Sequence, residues 1–340
     1  MAKTIYTAMV VIVAITVAPV MGKSRSRYSN TKWLDTDLTL AMAEDEGTPP
    51  AEPTTQHAHD EKCCPPLPFH SIEGYSGGAI TPMAYICNGW CGKNCCRYPV
   101  VSYSFLNIGT KEMQVFAVTM PLFKRLEIGY AYNYLNLGSL TDDIRGAGMD
   151  PGRDNVQLHH FNLRGMLIKE NDFGLPLPAL TAGVHFKYND GVQRIDRNLG
   201  GPFKAIGLDR SSGVDFTLTA SKMFPKLALG RPVILTGGAR WSQAAQIGLF
   251  GFGDTYHMTF EGNVVYMPTD WLAMGYELRT KADPYGKIPG LVGEEDAWQA
   301  FSASWLVNNH LTVSAVYGML GIVGNTREDT TLGIQIRWEF

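Results

Sequence analysis

Six cysteines carry the clearest chemistry in this sequence of 340 residues, and all of them lie in one short segment. They are Cys63, Cys64, Cys87, Cys91, Cys95 and Cys96. Thiolates can bind zinc, but the regular spacing of Cys87, Cys91 and Cys95 is not that of a zinc ribbon. In an oxidising compartment an even number of cysteines favours disulfides, whose pairing the sequence leaves open. We predict disulfides among these six residues, no metal ion and no cofactor.

A possible nucleophile lies between the cysteines, because Gly74-Tyr75-Ser76-Gly77-Gly78 matches the pattern G-x-S-x-G. A serine nucleophile in that pattern needs a strand, a sharp turn and then a helix. The proline at position 82 follows soon afterwards and argues against the start of a helix. The stretch is therefore predicted to be a glycine-rich turn, and the protein is predicted not to be an enzyme.

The amino terminus predicts secretion, and hence the oxidising compartment. Residues 1–22 combine a lysine, an apolar stretch and small closing residues, which is the pattern of a signal peptide. Residues 23–62 are polar and contain a proline-rich run, which predicts a disordered periplasmic tail. Residues 63–98 hold the cysteines and form a possible plug. Residues 99–340 remain for the main domain.

Composition excludes two classes of protein. The formal net charge is −3, so nothing indicates nucleic-acid binding. Beyond the leader there is no apolar run of the ~20 residues that a membrane-spanning helix requires. A helical membrane protein is therefore excluded.

From Pro99 to Phe340 apolar and polar residues alternate with a period of two, which is the pattern of half-buried strands. Twelve strands are predicted, at residues 99–108, 112–121, 124–135, 155–169, 178–189, 213–224, 231–242, 255–267, 271–281, 296–306, 310–319 and 330–340. Their connections alternate between short turns and long loops rich in Gly, Asp and Asn, as in outer-membrane barrels.

A soluble β-sandwich or a lipocalin-like barrel would show the same periodicity with its apolar face turned inward. The loop asymmetry, the aromatic residues at strand ends and the terminal Phe340 favour a membrane barrel. The predicted fold is therefore all-β: a transmembrane antiparallel up-and-down β-barrel of about 12 strands, with a Cys-rich N-terminal segment resembling a plug. Its predicted partners are outer-membrane lipid and the barrel-insertion machinery.

Several stretches of the sequence resemble an uncharacterised family of Gram-negative outer-membrane proteins, of the domain-of-unknown-function kind. The stretches are GLFGFGDTYHMTFEGNVVYMPTDWLAMGYELRTKADPYG, GEEDAW, NHLTVSAVYGMLGIV, GVDFTLTASKMF and EGYSGGAITPMA. The resemblance covers roughly residues 73–340, and the cysteine cluster departs from it. It implies a barrel and an outer-membrane location, and it implies no activity.

If the apolar face of each strand meets lipid, the other face lines the lumen. The charged and histidine residues predicted there as pore-lining are Arg125, Glu127, His160, Arg164, His185, Lys187, Asp215, Arg240, Glu261, Glu277, Arg279 and Arg337. Both signs of charge are present, which favours hydrated passage or a salt-bridged plug. In the hairpin around Pro268, pairing Met267 with Trp271 would put Glu261 opposite Glu277. Such a pair could form a selectivity constriction, a general acid/base pair or a structural ladder across the lumen.

The mixed-charge lumen predicts a passive porin-like channel for small hydrophilic solutes in the bacterial outer membrane. The alternative is a closed scaffold barrel whose N-terminal segment, on the periplasmic side, binds a partner. The sequence leaves open the solute, the oligomeric state and whether the lumen is plugged.

Overall fold

The computed structural model describes residues 67–87, 98–123 and 125–340. The predicted signal peptide, the predicted tail and five of the six cysteines lie outside these residues. Within them, twelve strands form one closed antiparallel barrel in which each strand pairs with the next barrel strand in sequence and the last one closes the ring against the first. The predicted all-β fold is confirmed.

The barrel strands match the predicted ones in number and differ from them by at most four residues at any end. They are β1 (Val100–Ile108), β2 (Lys111–Leu122), β3 (Leu126–Asn136), β4 (Asn155–Ile168), β5 (Ala179–Asp190), β6 (Ser212–Ala228), β7 (Arg231–Ala244), β8 (Phe252–Tyr266), β9 (Leu272–Arg279), β10 (Trp298–Leu306), β11 (Leu311–Met319) and β14 (Thr331–Glu339). A separate hairpin of β12 (Ile322–Val323) and β13 (Thr326–Arg327) lies in the loop before β14.

The two faces of the last strand show which side of the barrel is apolar. Ile336 is 52% exposed on the outside, whereas Arg337, the next residue, is 1% exposed on the inside. The same inversion recurs in other strands, where outward apolar side chains are exposed and inward polar ones are buried. A soluble barrel would bury the apolar face, so this exterior is that of a barrel in a bilayer. Among the described residues, no helix is long and apolar enough to cross a membrane.

The long loops fold over one end of the barrel. They carry helices α1 (Ser139–Gly146), α2 (Val192–Asn198) and α3 (Pro202–Ala205), together with the loop between β7 and β8. Apolar side chains from these loops, including Leu140, Ile195 and Phe250, form one buried cluster with residues of the inner wall at the same end of the barrel. A smaller cluster that contains Met83, Val265 and Leu306 is a second apolar layer. The strand pattern predicts a polar inner wall, but these two clusters show that parts of the wall are apolar.

The predicted register of the hairpin between β8 and β9 is wrong by two residues. Glu261 pairs with Arg279, and Glu277 pairs with Asn263. Paired positions end at Tyr266 and Met274, so the connection is longer than the three-residue turn from which the register was derived. Glu261 and Glu277 are therefore not opposite each other, and the predicted carboxylate pair does not form.

Candidate functional site in the barrel lumen

Residues 67–87, called the plug from here on, lie inside the barrel as a compact irregular loop. Backbone hydrogen bonds join Ile72 to Ala79 and Met83 to Ser76, so the segment turns back on itself. Gly74 has a φ of 79° and lies against the wall, where a Cβ atom would come within 2.7 Å of the Cβ of Ala131. The predicted glycine turn is thus present, and glycine is required at this close approach.

Every strand of the barrel contributes at least one side-chain hydrogen bond to the plug. In strand order the contributors are Ser102, Thr119, Glu127, Arg164, Thr181, Ser221, Arg240, Asn263, Glu277, Ser304, Ser314 and Gln335. A loop without secondary structure cannot satisfy its own backbone groups, and here the wall satisfies them. The plug is therefore attached to the wall around its whole circumference.

The one charged residue of the plug, Glu73, is surrounded by three cations of the wall. Its carboxylate contacts Lys187 Nζ at 2.5 Å, Arg279 Nη1 at 2.7 Å and Arg240 Nη2 at 3.2 Å. It also accepts a hydrogen bond from the hydroxyl of Tyr75. A buried carboxylate without such partners would cost several kcal/mol, so the cations and the plug depend on one another.

Two wall carboxylates complete the charge balance of this layer. Asp215 lies 2.7 Å from Lys187 Nζ and 2.9 Å from Arg240 Nη1, and Glu261 lies 3.2 Å from Arg240 Nε. Together with Glu73 they supply three negative charges to three cations. The layer is neutral only when the plug is in place.

Glu127 and Glu277 hold the backbone of the plug at two other points. Glu127 pairs with Arg164 at 2.8 Å and accepts hydrogen bonds from the Ser76 hydroxyl at 2.6 Å and the Cys87 N–H at 2.6 Å. The hydroxyl of the G-x-S-x-G serine is thus a plug anchor bound to a carboxylate.

Glu277 receives the backbone N–H groups of Ala79, Ile80 and Thr81 at 2.6, 3.0 and 2.9 Å, and the Thr81 hydroxyl at 2.8 Å. Four donors converge on one carboxylate, which is how proteins usually bind an anion. Here the wall supplies the anion and the plug supplies the donors, in place of the acid/base chemistry considered for this residue.

His70 and Gln335 fix the plug near its amino-terminal end. Gln335 accepts from the His70 N–H at 3.0 Å and donates to the His70 carbonyl at 2.6 Å. The imidazole lies between the hydroxyls of Thr119 at 2.6 Å and Ser102 at 2.8 Å. This contact joins β14, β1 and β2, the strands on both sides of the closing seam.

Eleven of the twelve residues predicted to line the pore are buried inside the barrel. Most of them contact the plug or one another. His185 bonds to Asn162 and Thr217 and packs on Tyr75 at a ring distance of 5.0 Å. His160 is fully buried without a hydrogen-bond partner among the described residues.

The lumen position predicted for Arg125 is wrong. β3 begins at Leu126, so Arg125 lies in the preceding turn, where strand alternation no longer applies. Its side chain is 45% exposed and reaches Asp172 of the next turn at 3.5 Å.

Cys87 is the one cysteine among the described residues, and its thiol is free and buried at the end of the plug. The prediction that Cys87 takes part in a disulfide is not met here, because the residue packs inside the barrel with its N–H on Glu127. The other five cysteines lie outside the described residues, and their pairing stays a prediction.

Sequence reasoning missed Glu73, Tyr75 and His70 as site residues. The available signal was the single charge at Glu73 in a stretch otherwise free of Asp, Glu, Lys and Arg. Such a charge, close to a closed barrel, requires a buried counterion.

Solved barrels resemble the chain at low identity. A KdgM porin matches with a TM-score of 0.43 and 9% identity, covering 71% of this chain and 99% of that one. An outer membrane channel from Pseudomonas putida F1 matches at 0.41 and 13%, covering 73% and 97%. The outer membrane phospholipase of Salmonella typhi matches at 0.33 and 10%, covering 72% and 90%. These likenesses concern barrel architecture alone.

No curated protein sequence matches the chain significantly. One family does match, over residues 68–336, which include the plug and nearly the whole barrel. Its description is "Protein of unknown function (DUF3034)". The chain therefore belongs to the DUF3034 family.

Proposed function

We propose that this protein is a barrel of the bacterial outer membrane that its plug holds closed, and that it acts as a scaffold for the N-terminal segment. The observation that carries the proposal is the ring of plug contacts from all twelve barrel strands. An open porin needs a continuous aqueous path, whereas here the polar wall residues are occupied by the plug and by one another.

The position of the plug ends supports a periplasmic N-terminal segment. The Leu67 carbonyl accepts a hydrogen bond from Arg337, three residues before the carboxyl terminus. Just before β1, the Pro99 carbonyl accepts from the N–H of Phe340 at 3.4 Å. Leu67 and Pro99 thus both lie at the end of the barrel with the short turns, and in outer-membrane barrels that end faces the periplasm.

Conductance across planar bilayers tests closure. The purified full chain is expected to give no stable single-channel steps, because the plug and the two apolar layers block the barrel. Steady porin-like conductance of the full chain would contradict the proposal.

The scaffold role is tested in cells by comparing the full chain with a variant that lacks residues 23–62. Both should reach the outer membrane, since the deletion leaves the plug and the barrel intact. A periplasmic protein that crosslinks to the full chain should be lost with the deletion. If both forms retain the same partners, or none, the scaffold role fails.

A second candidate is a channel that opens when the plug leaves, passing small hydrophilic solutes. It is favoured by the charged inner wall, since Lys187, Arg240 and Arg279 would line the passage once Glu73 departs. Glu73→Gln should then give intermittent conductance that the unaltered chain lacks.

A further inference from the structure

A small cavity lies beside the plug layer, toward the end with the long loops. Its volume is about 20 Å³. Arg240, Arg279, Lys281 and His257 form part of its wall, and Glu295 is the one carboxylate among its lining residues. Such a volume holds about one or two water molecules, or an ion of similar size.

The charges of this wall are unevenly arranged. The carboxylates that neutralise Arg240 and Arg279, namely Asp215, Glu261 and Glu73, are not among the lining residues. The guanidinium groups of Arg240 and Arg279 therefore have the cavity on one side and these carboxylates on the other. Glu295 accepts the N–H of Gln246 at 2.9 Å through one of its oxygens and forms no ion pair with Lys281.

Lys281 is the cation of this wall whose ammonium group has no hydrogen-bond acceptor among the described residues. Its Nζ lies 3.6 Å from the centre of the buried Trp298 ring, and it has no hydrogen bond or ion pair with any described residue. The ring face stabilises the cation but accepts no conventional hydrogen bond. An ammonium group has three donors, so an acceptor in the cavity would complete its coordination.

We propose that this cavity binds a small inorganic anion of about the size of chloride, held by Lys281 and Arg279. The cavity is too small for a sugar or an organic acid of several carbons. Water would also satisfy the donors. An anion is preferred because the lining residues include Arg240, Arg279 and Lys281 but a single carboxylate, and the counterions of the two arginines lie outside the cavity wall.

The protonation of Lys281 should be linked to binding. Burial, with smaller contributions from Arg279 and Lys187, lowers the pKa of Lys281 to about 7 against the opposing effect of Glu295 and Glu73. Burial also raises the pKa of Glu295, and it raises the pKa of Tyr285 to about 12, so that this phenol stays neutral. His257 also faces the cavity. A bound anion favours the protonated amine, so affinity should fall as pH rises from 6 to 8.

The test uses the full chain in detergent at pH 6.5, with thermal unfolding measured in sodium bromide and in sodium gluconate at equal ionic strength. Gluconate is too large for the cavity and controls for charge screening. We expect a saturable stabilisation in bromide alone. Lys281→Gln should weaken it about tenfold, because a charged hydrogen-bond donor is lost.

The matched control is Lys287→Gln, which removes a cation of the same loop that pairs with Asp283 and does not line this cavity. It should keep the bromide effect. Equal stabilisation by the two salts, or a bromide effect that survives Lys281→Gln, would overturn the proposal.

Bromide-soaked crystals of the unaltered chain give a readout that does not depend on whether a variant folds. An anomalous peak between Lys281 and Arg279 is expected. Crystals that diffract well but show no peak in the cavity would also refute the site.

Discussion

Glu73 of the plug and Lys187 of β5 form an ion pair of 2.5 Å in which neither side chain reaches solvent. The two residues are 114 positions apart in sequence, and Lys187 also contacts Asp215 at 2.7 Å. The plug and the wall therefore share one network of charges. Without the plug, wall cations lose a counterion, and without the wall, Glu73 has none.

Removing the Glu73 carboxylate should destabilise the protein strongly. Glu73→Ala leaves three cations facing only two carboxylates, and the loss of one partner from a buried pair costs about 3–5 kcal/mol. The measurement is urea unfolding in detergent. Asp142→Asn, at an exposed position of α1, is the control and should cost little. A loss below about 1 kcal/mol for Glu73→Ala would show that the plug does not contribute to stability.

The contact between Gly78 and Glu277 can be tested with a double-mutant cycle. A Cβ atom at Gly78 would overlap the Glu277 carboxylate, which four donors hold in place. Gly78→Ala should therefore destabilise the protein and speed hydrogen exchange at Ala79 to Thr81. In the Glu277→Ala background the same substitution should cost less, with a coupling of about 1–3 kcal/mol. Additive effects would contradict the geometry.

Stability should rise with pH between about 7 and 10 in the absence of halide. Lys281 has a pKa of about 7 in the folded chain. Exposed lysines have a pKa of about 10.4, so in this window the unfolded chain binds more protons than the folded chain. The melting temperature in gluconate should increase across the window, and Lys281→Met should flatten the increase. Lys287→Met should leave the slope unchanged, and a slope that persists in Lys281→Met would assign it to another group.

The turn between β6 and β7 offers a stabilising substitution. Ala228 pairs with Arg231, and the two residues between them, Leu229 and Gly230, have φ values of 51° and 74°. Leucine in the left-handed region is strained by about 1 kcal/mol, whereas asparagine tolerates it. Leu229→Asn should raise stability in detergent by about that amount, whereas Leu227→Asn, within β6, should not.

Deleting Phe340 should reduce the amount of protein in the outer membrane. Phe340 is 55% exposed on the apolar exterior and stacks edge-on with Trp338 at a ring distance of 6.4 Å. The deletion leaves the plug contacts in place, so a lower amount of protein in the outer membrane would indicate impaired insertion and not lower stability of the folded barrel. Quantitative immunoblots of membrane fractions, with Phe340→Trp as the control, provide the measurement. Unchanged levels would remove the support for a terminal aromatic signal.

The barrel could be predicted from sequence because one face of every strand meets lipid and the other does not, which imposes a period of two. The alternation holds only within a strand. Arg125 lies just before β3, so the prediction that it faces the lumen is wrong. Register within a hairpin depends on turn geometry, so Glu261 and Glu277 were paired wrongly.

The plug could not be predicted because its conformation has no period of its own. His70 is held by Gln335, 265 residues away, and Ala79 by Glu277, 198 residues away. Such contacts exist only after the ring has closed, and no local pattern encodes them.

The contact between His70 and Gln335 has a consequence for assembly. Gln335 lies on β14, the last strand to be made, whereas the plug precedes β1, the first. The plug is therefore synthesised before both β1 and β14, the two strands that pair to close the barrel. We therefore expect the pairing of β14 with β1 and the binding of the plug beside this seam to be coupled steps of assembly, because the Gln335–His70 contact requires both.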